Sequence, residues 1–474
     1  MPKRIHADIA VIGAGSGGLS IAAGASQLGA KVVLLEKHKM GGDCLNYGCV
    51  PSKALIAASE AAATVRSSGR FGVNGHEPAI DFAKVNAHVH GVIAAIAPHD
   101  SVERFRGLGV NVIEAEGRFS GPSMIVANGA EISARRFVVA TGSRAFVPPI
   151  PGLADVPYLT NETVFDLTEA PGHLIVIGGG PIGLELAQAH RRLGSAVTVV
   201  EALTILPKDD AEAAAVIRER LRGEGIEIVD GAKVERVSRE GNRISVMVAD
   251  GAHARCIEGT HLLLAAGRRP NVSGLGLEAA GIEYTPAGIK VDHRLRTTNK
   301  RVFAVGDVAG SFQFTHVAGY HAGIVIRNAL FNLPAKVDTR AVPWVTFTDP
   351  ELAHVGMTEP QAKEKDPSAK SVKWPFEEND RAQAERATEG FIKAVIGKGG
   401  LVIGATIVGR YAGELILPWV LAVQKRLTVK DMASIIAPYP TLSEVSKRVA
   451  GAWYTPQLFS PRTRAVVRLM QRLP

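Results

Sequence analysis

The chain has 474 residues, room for about three domains of ordinary size. Hydrophobic residues at 46% and charged residues at 21% are ordinary for a globular protein and exclude disordered, collagen-like and coiled-coil classes, while 50 glycines beside 5% aromatics suit an α/β enzyme. The net charge of +8 is spread out and does not argue for nucleic acid, and no apolar run approaches the ~20 residues of a membrane helix.

The start, Met1-Pro2-Lys3-Arg4, leads into an apolar stretch and superficially resembles an export signal. Asp8 and a glycine fingerprint lie inside that stretch, and cleavage would destroy the fingerprint. The expected compartment is therefore the reducing cytoplasm. Ile9–Ile12 reads as a buried strand, Gly13-Ala14-Gly15-Ser16-Gly17-Gly18 as a tight loop, and Leu19–Leu28 as an apolar-periodic helix ended by Gly29. Lys31–Leu35 reads as a second strand, closed by Glu36. Gly13, Gly15 and Gly18 let the backbone approach a pyrophosphate, whose charge the helix N-terminus favours. Glu36 can accept hydrogen bonds from both ribose hydroxyls.

Next comes Gly41-Gly42-Asp43-Cys44-Leu45-Asn46-Tyr47-Gly48-Cys49-Val50-Pro51-Ser52-Lys53. The glycines make the segment pliable enough for Cys44 and Cys49 to close a small ring. Pro51 suits the first turn of a helix running to about Val65. Cys49 near that N-terminus, with Lys53 one turn beyond, favours a thiolate. A zinc site needs four ligands and the only other cysteine is Cys256, while a structural disulfide does not suit a reducing compartment. A redox pair is the reading adopted, with no resident metal; Cys256 is expected to be a partly buried thiol without a role.

The nucleotide unit then recurs: strand Leu174–Ile177, loop Gly178-Gly179-Gly180-Pro181-Ile182-Gly183, a helix to Leu193, Gly194, and Ala196–Val200 ending at Glu201. Gly18 to Glu36 and Gly183 to Glu201 are both 18 residues apart. One glycine fingerprint is a weak signal; two in full strand–helix–strand–acid context are a strong one. Two sites suggest two dinucleotides, a flavin and a nicotinamide. Glu201 would repel a 2′-phosphate and no Lys or Arg follows until Lys208, so NADH is expected over NADPH.

With these motifs the chain resembles the class I pyridine nucleotide–disulfide oxidoreductases, the family of dihydrolipoamide dehydrogenase, glutathione reductase and mercuric reductase. Phe137-Val138-Val139-Ala140-Thr141-Gly142-Ser143, Leu264-Ala265-Ala266-Gly267-Arg268-Arg269-Pro270-Asn271, Val302-Phe303-Ala304-Val305-Gly306-Asp307 and Pro343–Glu359 match its further signatures. The resemblance implies an α/β fold with two Rossmann-like dinucleotide-binding domains and a C-terminal α+β dimerisation domain. The FAD domain with its central extension would span 1–149 and 273–341, the NAD domain 150–272 and the interface domain 342–474.

The resemblance also implies roles. Gly13, Gly15, Gly18 and Glu36 would hold the ADP half of FAD, with Thr141, Gly142 and Gly306 in the FAD signatures and Asp307 nearer the flavin. Gly178, Gly180, Gly183 and Glu201 would hold NADH, with Gly267 at the exit of that domain. Cys49 would face the flavin and Cys44 the substrate, while Lys53 pairs with Glu185. Electrons would pass from NADH through FAD and a Cys44–Cys49 redox disulfide to a small-molecule or protein disulfide acceptor. The unit would be a homodimer that shares its active sites.

One departure concerns the base. Where disulfide-reducing members carry a catalytic histidine from the partner subunit, this chain has Tyr439 in Ala437-Pro438-Tyr439-Pro440-Thr441; Glu444 keeps its place and no histidine follows His354. Phenol titrates near ~10 and is a poor base at neutral pH. A tyrosine there resembles the mercuric-reductase branch, yet no cysteine follows Cys256 to deliver a metal. A soft-metal-ion reductase is therefore one alternative, and a low-turnover flavin-binding redox-sensing scaffold is another. His316 and His321 do not share a helix face and are expected to pack rather than bind metal. The tail from Ser460 to Leu473, with Arg462, Arg464, Arg468 and Arg472, can be drawn as a basic amphipathic helix. It is read as a solvated helix at the dimer edge, with peripheral membrane contact as the alternative.

Overall fold

The structure, a computed structural model, describes residues 3–250, 253–310 and 312–472. Its contacts divide the chain into two units: Met1–Ala202 with Gly231–Val337, and Leu203–Asp230 with Asp338–Pro474.

In the first unit, strand Lys3–Ile12 lies between Val32–Glu36 and Ala130–Val139, parallel to both. Asn111–Glu114 extends one edge in parallel. On the other side Ala130–Val139 has two partners: its first half pairs antiparallel with Met124–Ala127, its last residues parallel with Val302–Ala304. The apolar run at the end of the first strand is buried on both faces, as a central parallel strand must be. Ile9 and Val11 pack with Leu34, Val138 and the helices Ser16–Gln27 and Thr315–Ala329, whereas Ala10 and Ile12 pack with Leu35, Phe137 and Ile132 on the opposite face. A second parallel sheet carries the recurring unit: His173–Ile177 pairs with Ala196–Glu201 on one side and His261–Leu264 on the other.

The second unit holds a five-stranded antiparallel sheet in the order Pro343–Thr346, Glu351–Gly356, Val402–Gly409, Phe391–Ile396, Lys370–Pro375. Helices Leu417–Lys425 and Glu444–Ala452 contribute Trp419, Val445 and Val449 to its core, and the Trp419 indole donates to Ser446 Oγ at 3.0 Å. The expected α/β architecture with an α+β C-terminal part is what forms.

One expectation is corrected. Cys256 is exposed, not partly buried: it lies on strand His253–Gly259 opposite Met247 in a three-stranded antiparallel sheet whose Met247 is itself 36% exposed. The alternation of that sheet puts both on the wet face. The tail forms a helix over Pro461–Met470; Leu473 lies outside the described residues.

Candidate redox and dinucleotide site

The two glycine loops have one construction. Gly15 caps helix Ser16–Gln27 and Gly180 caps helix Pro181–Arg192; neither helix has a side-chain cap or an acidic residue in its first turn. Their first N–H groups are thus left for an anion. A Cβ on Gly18 would sit 1.9 Å from Gly13 O, and one on Gly183 2.0 Å from Gly178 O, so only glycine closes either loop. Each terminal acid also braces its own loop: Glu36 Oε2 accepts from Ala14 N and Glu201 Oε2 from Gly179 N, both at 2.7 Å. Glu36 Oε1 accepts from His38 N at 2.8 Å. This bracing role was not read from the sequence. These loops fit the pyrophosphates of two dinucleotides.

The cysteine segment is packed directly on the first loop. Gly41 N donates to Ala14 O at 3.0 Å, and a Cβ on Gly42 would lie 2.7 Å from Gly15 Cα. Gly48 caps helix Cys49–Ser67, which places Cys49 as its first residue. Cys44 is half-buried, Cys49 is exposed, and both are thiols. The hydrogen bond from Cys44, the Thr315 hydroxyl 3.5 Å away and the Lys53 cation bring Cys49 down to about 6, against partial desolvation by the protein around its sulfur and the charge of Asp43. The same hydrogen bond, burial and the charge of Cys49 drive Cys44 up. The two effects run in opposite directions and favour the thiolate on Cys49 over Cys44. Lys53 Nζ donates to Glu185 Oε2 at 2.8 Å; Glu185 is buried in helix Pro181–Arg192.

The remaining signatures meet at Arg268, whose side chain is 11% exposed. Its Nη2 forms an ion pair with Asp43 Oδ1 at 3.1 Å, and its Nε donates to Ser143 Oγ at 2.8 Å. Ser143 Oγ donates to Asp307 Oδ2 at 2.5 Å. Burial pushes the Asp307 carboxyl up, with Ser143 and Arg268 opposing. Asn161 Nδ2 donates to Asp43 Oδ1 at 3.0 Å and to Tyr47 O at 3.1 Å. Thr141 and Gly142 are tied to Asn271: Thr141 Oγ1 donates to Asn271 O, and Asn271 N donates to Gly142 O. Gly267 O accepts from Phe146 N at 2.9 Å. His321 is buried and its Nδ1 accepts from Gly306 N at 3.2 Å; burial lowers it to about 4, so it stays a neutral acceptor. His316 stacks on Phe314, ring centroids 5.2 Å apart. Among the described residues no group of three His, Cys, Asp or Glu could hold a metal.

Thr315, Asn161 and the Arg268 hub escaped the sequence reading. Arg268 stood inside a quoted signature; Thr315 is 266 residues from Cys49, and nothing local announces their meeting.

Tyr439 and Glu444 belong to the second unit. Tyr439 is 69% exposed and its hydroxyl donates to Asp380 Oδ2 at 2.9 Å. Asp380, with a smaller contribution from Glu444, raises the phenol above its usual value. Glu444 opens helix Glu444–Ala452 and pairs with Arg448 at 3.9 Å.

Known proteins share this construction. The family model described as pyridine nucleotide-disulphide oxidoreductase matches residues 7–322, and that of the family's dimerisation domain matches 342–450. The chain is 38% identical over 440 residues to a mercuric reductase of Bacillus cereus, covering 92% of this chain and 70% of that protein. It is 37% identical over 454 residues to a dihydrolipoyl dehydrogenase of Geobacillus stearothermophilus, covering 94% and 96%. Among solved structures, LpdA of Mycobacterium tuberculosis superposes with a TM-score of 0.85 at 32% identity, over 95% of this chain and 99% of that one. The HOCl-induced flavoprotein disulfide reductase RclA of Escherichia coli, solved as a Cu(II) complex, gives 0.84 at 29% identity, over 94% and 99%.

Proposed function

We propose NADH-dependent reduction of a disulfide acceptor through Cys44 and Cys49 as the reaction of this chain, which belongs to the pyridine nucleotide-disulphide oxidoreductase family. Gly13, Gly15, Gly18, Glu36, Thr141, Gly142, Gly306 and Asp307 would hold FAD, and Gly178, Gly180, Gly183, Glu201 and Gly267 the nicotinamide dinucleotide. FAD supplies the two-electron step between the nicotinamide and the cysteine pair. The segments 1–149 with 273–341, 150–272 and 342–474 are assigned to FAD, NAD and dimer contact, in a cytoplasmic homodimer. No helix among the described residues is long and apolar enough to cross a membrane.

The observation that carries this reading is the seat of Cys49 as first residue of helix Cys49–Ser67, 3.5 Å from the Thr315 hydroxyl and one turn before Lys53, which favours a thiolate on Cys49 over Cys44. The Cys44 sulfur attacks the acceptor disulfide, forms a mixed disulfide and expels one thiol, which takes the Cys44 proton. The Cys49 thiolate then attacks the Cys44 sulfur, closes the Cys44–Cys49 disulfide and expels the second sulfur as a thiolate, which takes its proton from water. Lys53 stands beside the pair with Glu185 fixing its ammonium.

NADH is preferred because Glu201 ends its strand with a negative charge and residues 202–207 hold no cation to meet a 2′-phosphate. Comparable kcat/KM for NADPH would overturn that preference.

A second reading, reduction of a soft metal ion, is favoured by Tyr439 itself, a tyrosine whose hydroxyl is tied to Asp380 and offers no base. Such an ion, as substrate, needs two thiolates and no imidazole base.

Stoichiometric NADH added without oxygen to the FAD-loaded protein tests the enzyme. A long-wavelength band from the Cys49 thiolate against the flavin is expected, and its absence with FAD retained would leave only a redox-sensing scaffold. Lipoamide, glutathione disulfide and mercuric ion with excess thiol then separate the two enzymatic readings. Cys44→Ala should abolish reduction of all three while sparing transfer to a dye; loss of dye transfer as well would refute the electron path.

A further inference from the structure

The dimerisation-domain match ends at residue 450, and the chain continues to residue 474. Trp453 and Tyr454 pack on the core of the second unit. Ser460 then caps helix Pro461–Met470, its Oγ accepting from Thr463 N at 3.2 Å. No residue of this helix is buried. Val466, Val467, Leu469 and Met470 are 57%, 48%, 63% and 60% exposed. At helical spacing they fall within one arc of about 160°. Arg464 and Arg468 occupy the opposite arc, while Arg462 falls within the apolar one, about 20° from Leu469, where its long stem can lie along apolar surface with the charge raised. Leu458 and Phe459, just before the helix, are another 57% and 65% exposed.

Charge identifies what this face meets. From Val445 to the end the sequence has no aspartate or glutamate, against Lys447, Arg448, Arg462, Arg464, Arg468 and Arg472. An apolar arc edged by arginines and free of acids complements a surface that is apolar beneath and anionic above. The helix lies beyond residues 342–450, which match the dimerisation domain.

We propose that helix Pro461–Met470 docks the protein on an anionic lipid surface, with Val466, Val467, Leu469 and Met470 immersed and the arginines among the headgroups. Attachment is peripheral and salt-sensitive, each arginine contributing about fivefold in affinity.

The FAD-loaded full-length protein is sedimented with phosphatidylcholine vesicles and with mixed phosphatidylcholine–phosphatidylglycerol vesicles. Binding is expected only on the anionic vesicles at low salt and lost at high salt. Leu469→Asp combined with Met470→Asp should abolish it, and Arg464→Gln combined with Arg468→Gln should weaken it about 25-fold. Neither pair removes a buried side chain, so NADH oxidation with a dye stays at the parent rate. Failure of the parent protein to bind anionic vesicles, or undiminished binding by the aspartate variant, overturns the proposal. So does a change of oligomeric state in the aspartate variant without lipid, because the face would then join two copies of the chain.

Discussion

The Tyr439 hydroxyl donates a 2.9 Å hydrogen bond to the Asp380 carboxylate, and the proton it shares there is held, not offered. Asp380 heads helix Asp380–Glu385 under an Asn379 cap, and its charge penalises the phenolate. A histidine at this place could take a proton at neutral pH; this tyrosine cannot. Tyr439→His should therefore raise lipoamide turnover, by about tenfold or more given the 10²–10⁴ that a positioned base supplies. Unchanged turnover would mean that another group already serves as base. Asp380→Asn should lower the Tyr439 pKa toward its ordinary value, seen as tyrosinate absorbance appearing at lower pH than in the parent.

The two thiols of the pair are pushed in opposite directions. Cys49 falls from 9.0 to about 6, chiefly through the hydrogen bond from Cys44 and next through Thr315, with Lys53 adding less. Thiolate absorbance of the reduced protein should rise as pH passes through about 6. A depressed pKa means that the stabilising contribution of the thiolate is full above the unfolded value of 9.0 and is lost as pH falls through about 6. Cys44→Ala should move the transition upward by more than Thr315→Val, and Lys53→Met should move it least. A Cys44→Ala protein that still titrates near the parent value would show that the helix N-terminus, not the neighbouring thiol, sets the acidity.

Most of the nucleotide-binding frame is legible in the sequence because its determinants are local. Gly13 to Glu36 and Gly178 to Glu201 each fall in one strand–helix–strand unit, and apolar runs such as Ile9–Ile12 report burial without reference to anything distant. Cys49 at a helix start was readable for the same reason: Pro51 marks the turn. Long-range polar geometry was not. Thr315 reaches Cys49, Arg268 joins Asp43 to Ser143, and Asp380 holds Tyr439, each across a sequence gap that no periodicity encodes. Cys256 was misjudged because its alternating strand looks alike whether its cysteine faces core or water.

Lys53 and Glu185 should respond unequally to removal. Glu185 is 6% exposed, whereas the Lys53 side chain is 36% exposed. Glu185→Gln leaves a lysine that water can still solvate. Lys53→Met leaves a buried carboxylate without this cation, an arrangement that costs about 3–5 kcal/mol when both partners are buried and less here because Lys53 is partly wet. Chemical denaturation should give a loss of about 2 kcal/mol for Lys53→Met and under about 1 kcal/mol for Glu185→Gln. Equal losses would contradict the burial asymmetry.

Contact between the cysteine segment and the first glycine loop can be tested at a single hydrogen. Gly42 has φ +58, and a Cβ there would lie 2.7 Å from Gly15 Cα, a backbone atom that cannot swing aside. Gly72 is a control in the same left-handed region, with φ +80 and nothing within 4 Å of its Cβ. Gly72→Ala should cost only the backbone term, about 1–2 kcal/mol, and leave FAD affinity alone. Gly42→Ala carries that term and in addition prises the loop that would cradle the pyrophosphate away from the segment bearing Cys44. It should lose at least about 1 kcal/mol more than the control, because the clash is with backbone. It should also release FAD on gel filtration under conditions where the control keeps it. If both variants retain FAD and melt together, the two loops move independently, and the thiols are not held to the cofactor site by this contact.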